Sequence, residues 1–427
     1  PDALSRIEAG RDVYDLALSV GGAGGVAMVE AGRDVVLHLS GSDVSASNRG
    51  RIVGSGDPSR GNARGSDLYI VAGRGGGVDL EGFAATYLDP ENARGVVRTY
   101  LPELRDYMKK IGVEAPYDTA LVAAFRGLPA SRREVFLDRV FFTELRETGI
   151  DYNDAAGPRF HSYDRGFLAT SLLFPRDPAT TPTGGLGSVL LDGKVVETQA
   201  SGDINVLAPY GRIAVGTELT DPGGRGGIVT RRGGSIRMMA DQNIDLFTSR
   251  VFTLQGGDIL MWTSDGSITA GAGSKTSVFY APLRYTISAD GVLQIDAFGL
   301  QTGAGIGVLD ALQNAGDRPR SRLDLIAPKG EVNAGDAGIR VVGDLNIAAQ
   351  VVVGMENIQV SGSSQGVPKV DAPNIGALTS ASQVAQASTR EGVGPEATAR
   401  ARVADLPSLI TVEPVGYETK KEDEEAN

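Results

Sequence analysis

The sequence predicts an all-β solenoid, a right-handed parallel β-helix carrying an α-helical insertion. Two repeats and the glycine content predict it. Glu8-Ala9-Gly10-Arg11-Asp12-Val13 recurs identically as Glu30-Ala31-Gly32-Arg33-Asp34-Val35, an offset of 22 residues (30 − 8). A looser repeat joins 201–216 (SGDINVLAPYGRIAVG), 256–271 (GGDILMWTSDGSITAG) and 320–335 (RSRLDLIAPKGEVNAG). Glycine supplies 58 of 427 residues, about 14% and roughly twice ordinary usage, without the strict triplet period of collagen.

Each copy of the short repeat leads into an alternating run, Val13-Tyr14-Asp15-Leu16 and Val35-Val36-Leu37-His38-Leu39. Each copy of the long one has an alternating strand, a turn ending in Gly211, Gly266 or Gly330, and a second short strand. Residues 65–75 (GSDLYIVAGRG) read as a fourth, degenerate copy. A strand of three to six residues with one apolar face does not stabilise itself and must pair with its own repeats above and below. A period of about 22 residues with glycine corners then gives coils stacked one inter-strand spacing apart, ~4.8 Å, and about ten or more of them. The leucine-rich and propeller signatures are missing. Gly223-Gly224-Arg225-Gly226-Gly227 lacks the aspartate of calcium-binding nonapeptide repeats.

One region breaks the pattern. The organisation read from the sequence is β-helix coils over 1–89, a helical insertion over 90–150 between coils, and coils again over 151–375. An Ala/Ser-rich linker or capping helix follows over 376–405, then a short strand and acidic tail over 406–427. Asp89 before Pro90 suggests an N-cap with proline at the first helical position. Leu101, Leu104, Tyr107, Met108 and Ile111 recur at helical spacing. A second helix is expected over Thr119–Arg126. A third is expected from Ser131, with Glu134 completing a capping box and Val135, Phe136, Val140, Phe141 and Leu145 as its apolar stripe. The bland expectation for the insertion is packing against the flank or cap of the rod.

Composition removes whole classes of function. Cysteine is absent, which excludes disulfide scaffolds, thiolate metal sites and cysteine nucleophiles. His38 and His161 are the two histidines, too few for a multi-histidine metal site. The net charge of −12 argues against nucleic acid as a partner. No apolar run is long enough for a transmembrane helix. The first residues, PDALSRIEAGRDV, do not read as a signal peptide, and a start at Pro1 suggests a piece of something longer or a processed product.

The remaining motifs are weighed by context. Gly362-Ser363-Ser364-Gln365-Gly366 matches a nucleophile elbow in letters, but Val367-Pro368 follows where a helix is required, so a surface loop is expected. Gly22-Ala23-Gly24-Gly25 and Gly303-Ala304-Gly305-Ile306-Gly307 open no helix in a βαβ context, so no cofactor is expected. Asp241, Asp245, Asp258 and Asp265, with Arg237 and Arg250 nearby, are the residues a polysaccharide-active β-helix enzyme could use, but no spacing pairs two carboxylates for that chemistry. Asp258 and Asp203 hold equivalent repeat positions, which suggests a corner role, each bonding its own turn. His38 is expected outward and solvated. Trp262, in register with Leu207 and Ile326, is expected in the core. No catalytic, cofactor-binding or metal-binding residue is assigned, and no enzyme is expected.

Residues from about 131 to 375 resemble the C-terminal region of filamentous-haemagglutinin-like exoproteins, the two-partner secretion family of Gram-negative bacteria. The segments that carry the resemblance are 139–149 (RVFFTELRETG), 249–259 (SRVFTLQGGDI), 265–271 (DGSITAG) with Lys275-Thr276, 332–339 (VNAGDAGI) and 357–360 (NIQV). The resemblance implies a secreted or cell-surface β-helical exoprotein acting in adhesion or as an extracellular structural component. It implies export through an outer-membrane transporter, engaged by a region outside this sequence. Implied partners are host, matrix or sister-copy surfaces, with a homo-oligomer or filament as one form. The alternatives are a polysaccharide-active lyase or hydrolase, and a carrier scaffold for a larger secreted effector.

Overall fold

The computed structural model describes residues 4–21, 25–38, 52–55, 65–176, 187–199, 201–218, 226–231, 233–272, 277–278, 284–287, 293–296, 301–309 and 320–368. The chain divides into two units, Pro1–Pro368 and Lys369–Asn427, and every described residue belongs to the first. The segments 376–405 and 406–427 therefore lie outside the described residues.

The first unit is a parallel β-helix. Its three columns of strands carry almost all the pairing, in one 15-stranded and one 8-stranded sheet. The first column runs Leu4–Ala9, Val26–Ala31, Asp67–Val71, Ile204–Ala208, Ile236–Ala240 and Ile259–Thr263, then the leading halves of Arg322–Asn333 and Asp344–Val353. These define coils 1 to 8, and Ser364–Gln365 begins another. That is fewer described coils than the ten or more expected. The second column holds two-residue strands, from Val13–Tyr14 to Ile268–Thr269, and ends in the trailing halves of the same two long strands. The third column is the 8-stranded sheet, from Leu18–Gly21 to Ile358–Val360.

Alternation decides which residues fill the rod. In the first column Ile204, Val206 and Ala208 point inward and stack on Ile236, Met238 and Ala240, then on Ile259 and Met261. Among the described residues the interior cluster is aliphatic, because a rung every ~4.8 Å leaves room for branched chains stacked on their like, and buried Thr198, Thr230 and Thr253 continue the inward phase at one corner. The copies at 201–216 and 256–271 are two coils apart. The coil between them has Gln242 where Gly211, Gly266 and Gly330 stand, which hid it from the glycine pattern.

Corners are held between coils. Asp67 Oδ1 accepts from the Asp203 backbone N–H at 2.8 Å, Asp203 from Ser235 at 2.9 Å, and Asp258 from Arg322 at 3.0 Å. Each aspartate thus caps the next coil rather than its own turn, a correction to the expected corner role. A second ladder runs at the next corner, where Asp34 Oδ1 accepts from the Gly187 and Ser188 N–H groups at 2.8 Å. Glycine precedes Asp203 and Asp258 of this ladder for a steric reason. Gly257 has φ +106°, and a Cβ there would run into the carbonyl oxygen of Gly234 one coil below.

The helices differ from the expectation in extent and place. They are α1 (Leu80–Tyr87), α2 (Leu101–Lys110), α3 (Asp118–Arg126), α4 (Ala130–Asn153) and α5 (Asp164–Leu173), so helix extends beyond 90–150 on both sides and occupies the start of 151–375. The insertion interrupts coil 3 itself. Val35 of coil 2 pairs with Val189, while Val29 of the same coil pairs with Ile70. The chain leaves after Gly73 and re-enters at Gly187, whose Cβ position is 3.0 Å from the Gly73 Cα. Asp89 caps a turn through the Glu91 and Ala93 N–H groups rather than a helix, and α2 starts at Leu101. Glu134 makes no capping box; α4 has no side-chain cap, and Glu134 is buried in an ion pair.

Candidate interaction surface

Two features concentrate polar chemistry: the seam where the helices sit on the rod, and the grooves beside it. The outward face of the first column is not a solvent face. Val71, Leu207, Met239, Leu260, Trp262, Ile326 and Ala348 are buried there and share a core with Phe83, Tyr87, Phe125, Phe136, Phe141 and Leu145 of the helices. Trp262 is fully buried, as expected of a core residue, but it faces the helices rather than the rod interior. Its ring lies edge-on to Phe167 with centroids 5.8 Å apart, and its Nε1–H donates to Ser264 Oγ at 3.1 Å.

Several charged groups enter this seam in pairs, which offsets the cost of their burial. Arg74 bridges Glu30 of the rod (2.9 Å) and Glu134 of α4 (2.7 Å). Arg146 of α4 lies 3.3 Å from both Asp258 and Asp324. Inside the helical unit, Arg165 of α5 holds Glu144 of α4 through two bonds of 2.9 and 2.7 Å, and the Tyr100 hydroxyl donates to the same carboxylate. Burial raises the Glu134 carboxyl against the pull of Arg74. Burial, then the Glu134 charge, holds Asp138 well above the usual carboxylate range. Asp324 is pushed up to about 6 by burial, against the pull of Arg146 and Arg322.

The carboxylates singled out in the sequence are each engaged. Asp241 pairs with Arg176, Asp265 with Lys329, and Asp258 with Arg146 and the Arg322 N–H. Asp245 is half-buried, and burial raises its carboxyl. Arg237 donates to Asp203 and Asn205, and Arg250 lies 6.0 Å from the Phe252 ring centroid. Ser364 of the formal elbow sits in a two-residue exposed strand, and Gly366, Val367 and Pro368, the described residues after it, are not helical. Gly305–Val308 is a strand of the third column, and Gly22, Ala23 and Gly24 lie outside the described residues. His38 is partly exposed, 3.6 Å from Asp15 and stacked on Tyr14. Among the described residues no three His, Asp or Glu side chains are grouped to hold a metal, and no helix is long and apolar enough to cross a membrane.

Two grooves open on this surface. One of about 490 Å³ runs between α5 and the rod corner, with Phe167, Leu168, Pro209 and Met239 as apolar walls and the Arg176–Asp241 and Lys329–Asp265 pairs at its edge. Another of about 300 Å³ lies between α2 and α4, lined by Arg98, Tyr100, Lys110, Arg139 and Thr143 among others. Neither groove is marked by a sequence motif. Leu207, Met239, Trp262 and Ile326 in one register column were the available signal, since four large apolar groups on an outward face demand a cover.

The fold and site together define a class: a parallel β-helical rod with a helical unit docked on one face and charged groups used for packing. Within that class, residues 256–369 match a family described as "Filamentous haemagglutinin family outer membrane protein". No curated protein and no solved structure matches the chain. The matched stretch covers coils 6 to 8 and lies inside the region that carried the resemblance. The resemblance, the β-helix class and the secreted or cell-surface placement that goes with the family are therefore supported from two directions.

Proposed function

We propose that this protein is a β-helical module of a secreted or cell-surface exoprotein, acting in adhesion or as an extracellular structural element. The observation that carries the reading is the family match over coils 6 to 8 of a parallel β-helix. The engagement of Asp241, Asp258 and Asp265 in ion pairs, with Asp258 also capping a corner, supports a binding or structural role over polysaccharide cleavage. The outer-membrane description of the family supports export through an outer-membrane transporter. The surfaces it meets would be host, matrix or sister copies.

The test uses the purified chain on intact host cells, on matrix-coated surfaces and on itself. Saturable attachment, or concentration-dependent growth in mass seen by light scattering and electron microscopy, is the expected result. A chain that stays monomeric at high concentration and attaches no better than an acidic control protein would overturn the reading. Release of oligosaccharides from an acidic polysaccharide panel would replace it with the enzymatic one.

A further inference from the structure

Helix α4 does more than pack on the rod. Glu134, through Arg74, meets Glu30 of coil 2. Arg139 is 3.8 Å from Asp67 of coil 3. Arg146 meets Asp258 of coil 6 and Asp324 of coil 7. Asn153 donates to Asn346 Oδ1 at 2.7 Å and to the Ile347 carbonyl at 2.8 Å, both in coil 8. From Glu134 to Asn153 is 19 residues (153 − 134), or about 28 Å of helix at 1.5 Å per residue. From coil 2 to coil 8 is six steps, or about 29 Å at ~4.8 Å each. The two lengths agree, so one straight helix keeps contact from coil 2 to coil 8.

Close approach is built in at the distal half. A Cβ on Gly149 would lie 2.7 Å from Ile326 Cδ1 and 3.0 Å from Asn346 Nδ2, so glycine lets the helix backbone press on coils 7 and 8. Coils in a solenoid touch only their neighbours, so one part of such a stack can open without the rest. A helix fixed at coil 2 and again at coil 8 changes that rule.

We propose that α4 is a longitudinal strap that makes coils 2 to 8 open and close as one cooperative unit. Asn153 and Asn346 are 193 residues apart in sequence, so the strap seats only after the last of these coils has formed. The raised carboxyls of Asp138 on the strap and Asp324 on the rod beneath it agree with a seam that is closed against water.

The test is hydrogen exchange, read by peptide, on the intact chain carrying Arg146→Ala with Asn153→Ala. Both substitutions lie at the distal end. The strap predicts a rise of roughly tenfold in exchange at the remote strands Val26–Ala31 and Asp67–Val71, alongside the rise in Asp344–Val353. A rise confined to coils 6 to 8 would sink the proposal. Emission of Trp262, the one tryptophan, checks that the variant is folded, since its burial in the seam shifts emission to the blue. If the double variant does not fold, Asn153→Ala alone must still raise exchange at Val26–Ala31. Conversely, Glu134→Gln at the proximal end must raise exchange at Asp344–Val353, and no change there would equally overturn the strap.

Discussion

The rod interior and the helical seam are built from the same chain by opposite rules. The interior core contains Val, Ile, Leu, Ala and Met and no aromatic residue, while the seam gathers Phe83, Tyr87, Tyr100, Phe125, Phe136, Phe141 and Trp262. In the rod each residue stacks on its counterpart one rung away, so size must repeat. In the seam a helix meets a ladder of outward side chains once, and the pieces need only be complementary. Repetition makes the first region periodic and the second singular. The coupling of remote coils rests on the singular one.

The largest effect should come from breaking repetition. Gly257→Val puts a side chain at φ +106° and into the Gly234 carbonyl, with no flexible group to move aside. The expected loss exceeds about 4 kcal/mol. Circular dichroism should show that the β-helix does not form, and a soluble variant with wild-type melting would contradict the stacking account of the corners. Trp262→Ala should cost somewhat less, about 3–5 kcal/mol as a large cavity. Its signature is different: near-ultraviolet dichroism from the seam aromatics should collapse while the far-ultraviolet β signal persists at low temperature.

The same contrast explains what the sequence revealed. The repeated Glu-Ala-Gly-Arg-Asp-Val and the Gly-Asp pairs at 202–203 and 257–258 are corner chemistry, and corner chemistry recurs, so the coils were legible. Coil 5 was passed over because Gln242 replaces the turn glycine. Helix α1 escaped because it is short and follows closely on the glycine-rich Arg74–Gly77. The true N-termini of α2 and α4 carry no capping side chain, so Asp89 and Glu134 drew attention that belongs to Leu101 and Ala130. The insertion's position inside coil 3 was invisible, since the pairing of Val35 with Val189 joins residues 154 positions apart (189 − 35). The ion pairs of the seam were unreadable for the same reason: nothing local links Arg146 to Asp324.

Those seam acids give the comparison a pH axis. Asp324 is raised to about 6 by burial, with Arg146, Arg322, Asp258 and Asn346 facing it. Its folded state holds the proton more tightly than the unfolded chain does. Its contribution is therefore complete below about pH 4 and declines as pH rises through about 6, by about 2–3 kcal/mol in all. Asp138, raised by the same cause, adds a decline of the same sign. Denaturant melts at pH 5 and pH 7.5 should show the seam weaker at the higher pH, and Asp324→Asn should flatten that difference. An unchanged slope in the variant would mean that Asp324 keeps its charge in the folded protein. The buried interior cluster of the described residues is aliphatic, so its exchange should be far less sensitive to pH once the intrinsic chemical rate is removed.

The smallest effect should come from the point where the two regions join. Tyr210 follows a rod strand, and its hydroxyl lies within hydrogen-bond distance of the carbonyls of Gly76 (3.0 Å), Gly77 (2.8 Å) and Pro175 (3.3 Å). The first two belong to the segment entering the helical unit and the third to the segment leaving it. Burial raises the phenol to about 12, so it stays a donor across the working pH range. Asp79 N–H to the Leu173 carbonyl (2.9 Å) ties the same two segments a little further out. Removing the hydroxyl in Tyr210→Phe keeps the ring that packs against Gly76 and deletes only the polar tie. The expected cost is about 1–2 kcal/mol, because the carbonyls lose their donor in a half-buried place. Limited proteolysis should then cut faster within 74–79 and 174–176 with the rod otherwise intact. If cleavage and melting are both unchanged, the segments are held by the Asp79–Leu173 bond and by ring packing, and the junction is as redundant as the corners of the rod are not.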